Sequence, residues 1–465
     1  MTDDPIPDDP RFTRRGALAL GGATLLAGCG ALPNPLGSDP VELDGAALTR
    51  IAGREGPTID HPLPVDVTDD HVADSRGRAH AMLGAAPLPL TADDLPNGAM
   101  REEIADHADH AREHLAEAVR ATGARDRLEL LAHARGPARA TGARDRLELL
   151  AHARGPARAV EAAWAAIEDE LTAADVRSAR ASVREDVSEF RDDWEYVGEG
   201  PVRAVVVHAL VEQWVREGEN DLSRRRPDDQ SSPVTPLTVG ERASEVEQAR
   251  AALGDARHVG ERFTASLSDA RSLAATFTDA RDSLADTIDS RMTDKPGEHA
   301  DLPGLVDGGG DLEGTVAGAA LRQLHGDLPY EGEFVPETEL PGRILWQVET
   351  LAQIGGFETL RERIAADEHR TVESAEDVEE LRRAAVTAVE DALAESADER
   401  LARTELATLA GWFDYAARDI DRRAGDDPVE LERVADEIAI YLEIEVIAGA
   451  VPAAVDEALA ALGVE

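Results

Sequence analysis

From residue 99 onward, apolar residues recur at intervals of three and four. Ile104, Ala108, Ala111, Leu115 and Ala118 form one stripe, the i, i+4, i+7 pattern of a helix with one face on a core. The same period predicts helices over 160–171, 173–196 and 201–223. The last contains "AVVVHALV", apolar on nearly every side, which places it centrally, and Pro201 suits its first turn. The most sustained pattern follows: Val246, Ala249, Leu253, Ala256, Gly260, Phe263, Leu267, Ala270, Ala274, Phe277, Leu284 and Ile288, with Arg281 the one misfit. It predicts a single heptad-patterned helix over 240–292, about 50 residues and about 75 Å long. Its expected partners are the long helices on either side; self-association through this helix is the alternative. Further helices are predicted at 342–368, 374–395, 398–424, 428–448 and 452–462, with starts at Ser374 to Asp377 and Asp427-Pro428. "EIAIYLEIEVI" (437–447) also alternates with period two, but its continuity with Leu431 and Val434 favours helix.

The breaks in this pattern organise the chain. Residues 41–98 carry Pro62, Pro64, Pro87, Pro89 and Pro96 and read as an irregular N-terminal segment with one short helix at 69–83. "RRRPDDQSSPVTP" (224–236) reads as a linker. A Gly/Pro-rich connection at 296–340 separates a helical half (99–295) from a C-terminal helical half (341–465). The fold class is therefore expected to be all-α, an elongated multi-helix bundle. One segment is duplicated without change: "ATGARDRLELLAHARGPAR" at 121–139 recurs at 140–158. Perfect identity points to a recent duplication, or to an assembly error in GC-rich DNA, and in either case to no function of its own. Gly136-Pro137 and Gly155-Pro156 offer breaks at which the extra unit could loop out as a helical hairpin.

Composition sharpens this picture. Aromatic residues are only 3% and alanine is abundant, which suits closely packed helices better than sheets. There are 94 acidic and 48 basic residues, a formal net charge of −46. Such a surface repels phosphate, so nucleic acid is excluded as a partner. Lys295 is the only lysine. Acid excess with lysine depletion resembles the proteins of haloarchaea, which work in molar salt. At about 1 M salt the screening length falls to about 3 Å, removing most of the self-repulsion.

The N-terminus has three parts in order: Arg14-Arg15 after Thr13, an apolar run over 16–27, and Cys29, the only cysteine. The apolar run reaches about 18 Å, short of the ~30 Å bilayer core, and so reads as the apolar part of an export signal. The pattern resembles a twin-arginine signal peptide, the route for proteins exported already folded. Leu26, Ala27, Gly28 and Cys29 are similar to a lipobox. The resemblance to haloarchaeal twin-arginine-exported lipoproteins covers only these residues. It implies cleavage of 1–28, a thioether-linked lipid on Cys29, a Pro/Gly-rich tether over 29–40, and a location at the cell surface, on the outer face of the cytoplasmic membrane. A two-chain lipid would anchor firmly where one chain would not. A lone cysteine excludes an intramolecular disulfide framework.

No P-loop, no GxGxxG after a strand, no GxSxG elbow and no HExxH occurs. One constellation stands out: Glu103, His107, His110 and His114 lie at spacings of 4, 3 and 4 on one helical stripe. With a ligand from a neighbouring helix they could bind zinc, copper or iron; the alternative is a set of solvated boundary histidines. His133 and His152 are copies of one another. Trp164, Trp194, Trp214, Trp346 and Trp412 fall in separate amphipathic stretches and read as core residues. The expected function is that of a non-enzymatic surface interaction or envelope protein without cofactor. The alternative is a metal- or solute-binding lipoprotein using the histidine stripe.

Overall fold

The computed structural model describes residues 40–59, 63–120, 143–223, 234–307, 309–329, 336, 338–425 and 427–464. The expected export signal, Cys29, the expected tether up to residue 39 and the first copy of the duplication lie outside these residues. Among the described residues there are fourteen α-helices and four strands of two residues each, so the fold is all-α.

Strand β1 (Glu42–Leu43) leads into α1 (Gly45–Ala52), capped by the Asp44 side chain. The segment expected to be irregular therefore starts in regular structure, and a second helix, α2 (Asp69–Leu83), stands where one was predicted. Next come α3 (Gly98–Arg120), α4 (Ala143–Ile167), α5 (Ala173–Asp193), β2 (Val197–Gly198) and α6 (Pro201–Ser223). All five predicted stripe residues of α3 are buried. α4 starts inside the second copy of the duplication and runs through Gly155-Pro156 without ending. An interior proline costs about 3 kcal/mol. Against that, Leu147, Leu150, Ala153, Ala157 and Val160 form a continuous buried stripe, and continuity of packing wins.

The 240–292 heptad seam is not one helix. It is divided into α7 (Pro236–Ala265) and α8 (Ala274–Met292), with strand β3 (Arg271–Ser272) between them. Ser266 ends α7 with its hydroxyl on Phe263 O, and the Glu199 carboxylate accepts from the backbone N–H groups of Ser268 and Asp269. β3 then pairs antiparallel with β2, and Leu273 N donates to Tyr196 O. Short polar residues give the backbone these alternative partners, which is why Ser and Asp favour helix ends. The seam residues of α7 from Val246 to Phe263 are buried, covered by α4 and α6 of the same chain.

Beyond α8 the chain forms α9 (Leu302–Leu305), a 3-10 turn, α10 (Val316–Gly326), α11 (Leu340–Ala365), α12 (Ala375–Glu395), α13 (Glu399–Ala424), β4 (Val429–Glu430) and α14 (Ala435–Ala461). Two expectations change here. The presumed connection 296–340 contains α10, whose Val316, Ala317, Ala319, Ala320, Leu321 and Leu324 are buried against α14 and α11. And 428–448 with 452–462 is one helix after a strand, with Pro452 inside it.

Val41–Glu465 forms one unit. In it α4 and α7 are the centre of an N-terminal group with α2, α3, α5 and α6, while α14 is the axis for α10, α11, α12 and α13. α8 packs on α11 and α14, so the packing changes partners at 266–273 and not within 296–340. α6 touches both groups, through α7 and α11. β1 pairs with β4, and α1 lies on α13 and α12. The start of the body is thus held by its C-terminal half. α14 has a mean hydropathy of 1.8 over an 18-residue window, enough in length and composition to cross a membrane, and 78% of that window is buried inside the bundle.

Candidate functional site

The histidine stripe lies on the polar flank of α3. Glu103 and His110 are exposed, His107 and His114 half-buried. His107 Nε2 is 3.8 Å from Glu103 Oε1, and His114 Nδ1 is 4.0 Å from Glu117 Oε2. His114 meets His152 of α4, with ring centroids 5.8 Å apart. Burial and the nearby His152 hold the His114 imidazole below the usual histidine range. Among the described residues no three His, Cys, Asp or Glu side chains converge on a metal position. The stripe thus brings neighbours together in pairs and leaves the four-residue set unassembled.

Three other groups concentrate ionisable chemistry, each built across elements. The first joins α2, α4 and α7. His71 Nε2 donates to Asp255 Oδ1 at 2.6 Å, and its ring stacks on His258 with centroids 4.0 Å apart and planes 3° apart. His258 Nε2 accepts from Thr68 N at 3.2 Å, which puts the proton of a neutral ring on Nδ1. Parallel stacking aims the ring nitrogens edge-on to different partners, so they do not share a point. Burial lifts the Asp255 carboxyl above its usual range despite His71. Thr68 Oγ1 lies 3.5 Å from His258 Nε2, but it caps α2 by accepting from His71 N and is not poised as a nucleophile. Beside this group, Glu247 is fully buried and takes Arg78 (2.6 and 2.7 Å), Arg154 (2.6 and 2.9 Å) and Arg250 (3.0 Å). Burial alone would raise its carboxyl; the arginine hydrogen bonds and charges outweigh that and hold it low.

The second group ties α5 and α6 to the start of α11. Tyr196 donates through its hydroxyl to Glu212 Oε1 at 2.5 Å, and Gly342 N donates to Glu212 Oε2 at 2.8 Å. Glu339, 1% exposed, accepts from Arg191 at 2.8 Å and from Arg216. Desolvation pushes the Glu212 carboxyl up to about 8 against those hydrogen bonds. Next to it His208 donates from Nε2 to Val197 O at 2.9 Å, inside a ring of Trp194, Tyr196, Phe263 and Phe277. Burial drives its imidazole down to about 4. It is a neutral core histidine.

The third group is a small pocket between α11, α13 and α14. Glu349, Gln353, Glu405 and Thr408 supply its oxygens; Ala352, Leu409, Trp412, Ile447 and Val451 complete its wall. Its open centre is about 10 Å³, close to the room one water needs. Trp412, read from sequence as a core residue, thus also faces a pocket. Gln353 Nε2 donates to Glu349 Oε1 at 3.3 Å. Burial raises both carboxyls, with the charge of Asp327 adding to the effect on Glu349 and that of Glu349 adding to the effect on Glu405.

None of these groups was singled out from sequence. Their members come from different helices, and the sequence signal for a shared helical face covers one helix at a time. The available hint was local: Asp255 and His258 are an i, i+3 pair on α7, and Glu349 and Gln353 an i, i+4 pair on α11.

Residues 70–269 match a family described as a domain of unknown function, DUF8262, and residues 274–460 match a second, DUF8264. The boundary between the two matches falls where α8 begins. No curated protein and no solved structure matches the chain.

Proposed function

We propose that the chain is a lipid-anchored, extracytoplasmic helical protein of a halophilic archaeon, whose body serves as an interaction or envelope module and not as an enzyme. The observation that carries this reading is the order Arg14-Arg15, apolar run, Leu26-Ala27-Gly28-Cys29, followed by a body whose pairing begins at Val41. Cleavage before Cys29 would take nothing from any described helix. It would leave 29–40 as a spacer that, fully extended, reaches about 40 Å. The chemistry inside the body supports a module held rigid: Glu247, Glu339 and Glu212 are each committed to tying helices together. The acid-rich surface supports a molar-salt setting.

The test is expression of the full chain in a halophilic host, followed by membrane fractionation and mass spectrometry of the N-terminal peptide. The expected product begins at Cys29, carries a lipid and sediments with membranes. Cys29→Ser should release it into the soluble fraction, and Arg14→Lys with Arg15→Lys should hold it inside the cell. An unprocessed N-terminus, or membrane association that survives Cys29→Ser, overturns the reading.

A further inference from the structure

We propose that the pocket between α11, α13 and α14 is a binding site for a hard divalent cation of calcium type, held by Glu349 and Glu405 with Gln353 and Thr408 as neutral oxygen donors. Two independent features point to a ligand. The first is the hollow itself, sized for one water or one ion and lined by four oxygen-bearing side chains. The second is Glu405. It is 8% exposed and lines the hollow, and no described hydrogen-bond donor meets its carboxylate. The charge that acts on it is the like charge of Glu349. Two other buried acids are treated differently: Glu247 has three arginines and Glu339 two.

Burying a carboxylate without a partner is costly, and two facing each other cannot both ionise without compensation. Protonation is one escape. A dication is the other, since it offsets both charges and satisfies several oxygens at once. The donor set decides the class of metal. Carboxylate, amide and hydroxyl oxygens suit calcium, which tolerates irregular coordination completed by water, better than magnesium, which demands near-ideal octahedral geometry. Zinc and copper prefer imidazole and thiolate, and neither lines this pocket. Thr408 is exposed and marks the side from which an ion would enter, while Ala352, Leu409, Ile447 and Val451 exclude water behind it.

Trp412 lies in the pocket wall and provides the readout. Terbium(III) replaces calcium at oxygen sites and emits when a nearby indole is excited. The full chain, stripped with chelator and held in molar KCl so that surface carboxylates compete weakly, is titrated with terbium. Sensitised emission should saturate at one equivalent and be displaced by calcium. Glu405→Gln should bind at least about tenfold more weakly, with Glu349→Gln as the second variant should the first fail to fold. Trp412→Phe should lose the emission while still binding calcium by calorimetry. No emission that depends on Trp412, or emission unchanged in Glu405→Gln, overturns the proposal.

Discussion

At the scale of single residues, the protein is defined by acids and histidines placed where water cannot reach them. Glu212 keeps its proton up to about pH 8, whereas an ordinary glutamate releases it near 4.5. Between those values the folded chain binds more protons than the unfolded one. Stability must therefore fall as pH rises through this window, by up to about 1.4 kcal/mol per unit, and level off above it. His208 acts in the opposite sense. It stays neutral down to about 4 against an ordinary 6.5, so stability contributed there is lost as pH falls from 6.5 toward 4. Glu212→Gln removes the first titration and keeps an oxygen for Tyr196. Its melting temperature should be flatter than that of the wild type between about pH 5 and 8. An unchanged slope would place the titrating group elsewhere. None of this was legible beforehand, for a plain reason. The histidines on α3 announce themselves by spacing, while Tyr196 and Glu212 meet only because β2 turns the chain between α5 and α6.

At the scale of elements, periodicity read the helices well and their ends poorly. α6 runs over the predicted 201–223, and the α3 stripe is buried in full. The errors have a common cause: local chemistry and tertiary packing can each overrule a period. Between α7 and α8 the Ser-Leu-Ser-Asp stretch found better backbone partners outside the helix. In α4 the reverse occurred, and a buried apolar stripe carried the helix through Pro156. Alanine and glycine were expected to allow close helix approach, and Gly240 shows how close. A Cβ there would lie 2.6 Å from Ala159 O and 3.1 Å from Ala163 Cβ, both on α4. Helix propensity alone would favour Gly240→Ala by about 1 kcal/mol, whereas forcing two packed helices apart costs about 1–3 kcal/mol. The expected result is a net loss, read as a lower denaturant midpoint with unchanged slope. A stabilised variant would mean that α4 and α7 stand further apart than these distances.

At the scale of the whole molecule, charge and connectivity dominate. With a formal net charge of −46, the body must contain its own repulsion. The arginines that bind Glu247 and Glu339 do this locally, and dissolved salt must do the rest. The melting temperature should therefore rise between low and molar KCl, as the screening length drops from about 10 Å at 0.1 M to about 3 Å at 1 M. A temperature independent of salt would contradict this account. The all-α class followed from composition and period together. The closure of the chain did not, because β1 and β4 are two residues each and come from opposite ends of the body, too short to leave a pattern. One element bears on how such a molecule reaches its destination. At 27 residues α14 is about 40 Å long, and were the chain threaded unfolded through a protein-conducting pore, this segment would be offered to lipid and could halt there. Once folded, it is screened by α10, α11, α12 and α13. On the proposed route, then, the order of events carries information that the sequence of α14 lacks. Completing the bundle before crossing makes this helix a core element, and crossing first would make it a membrane anchor.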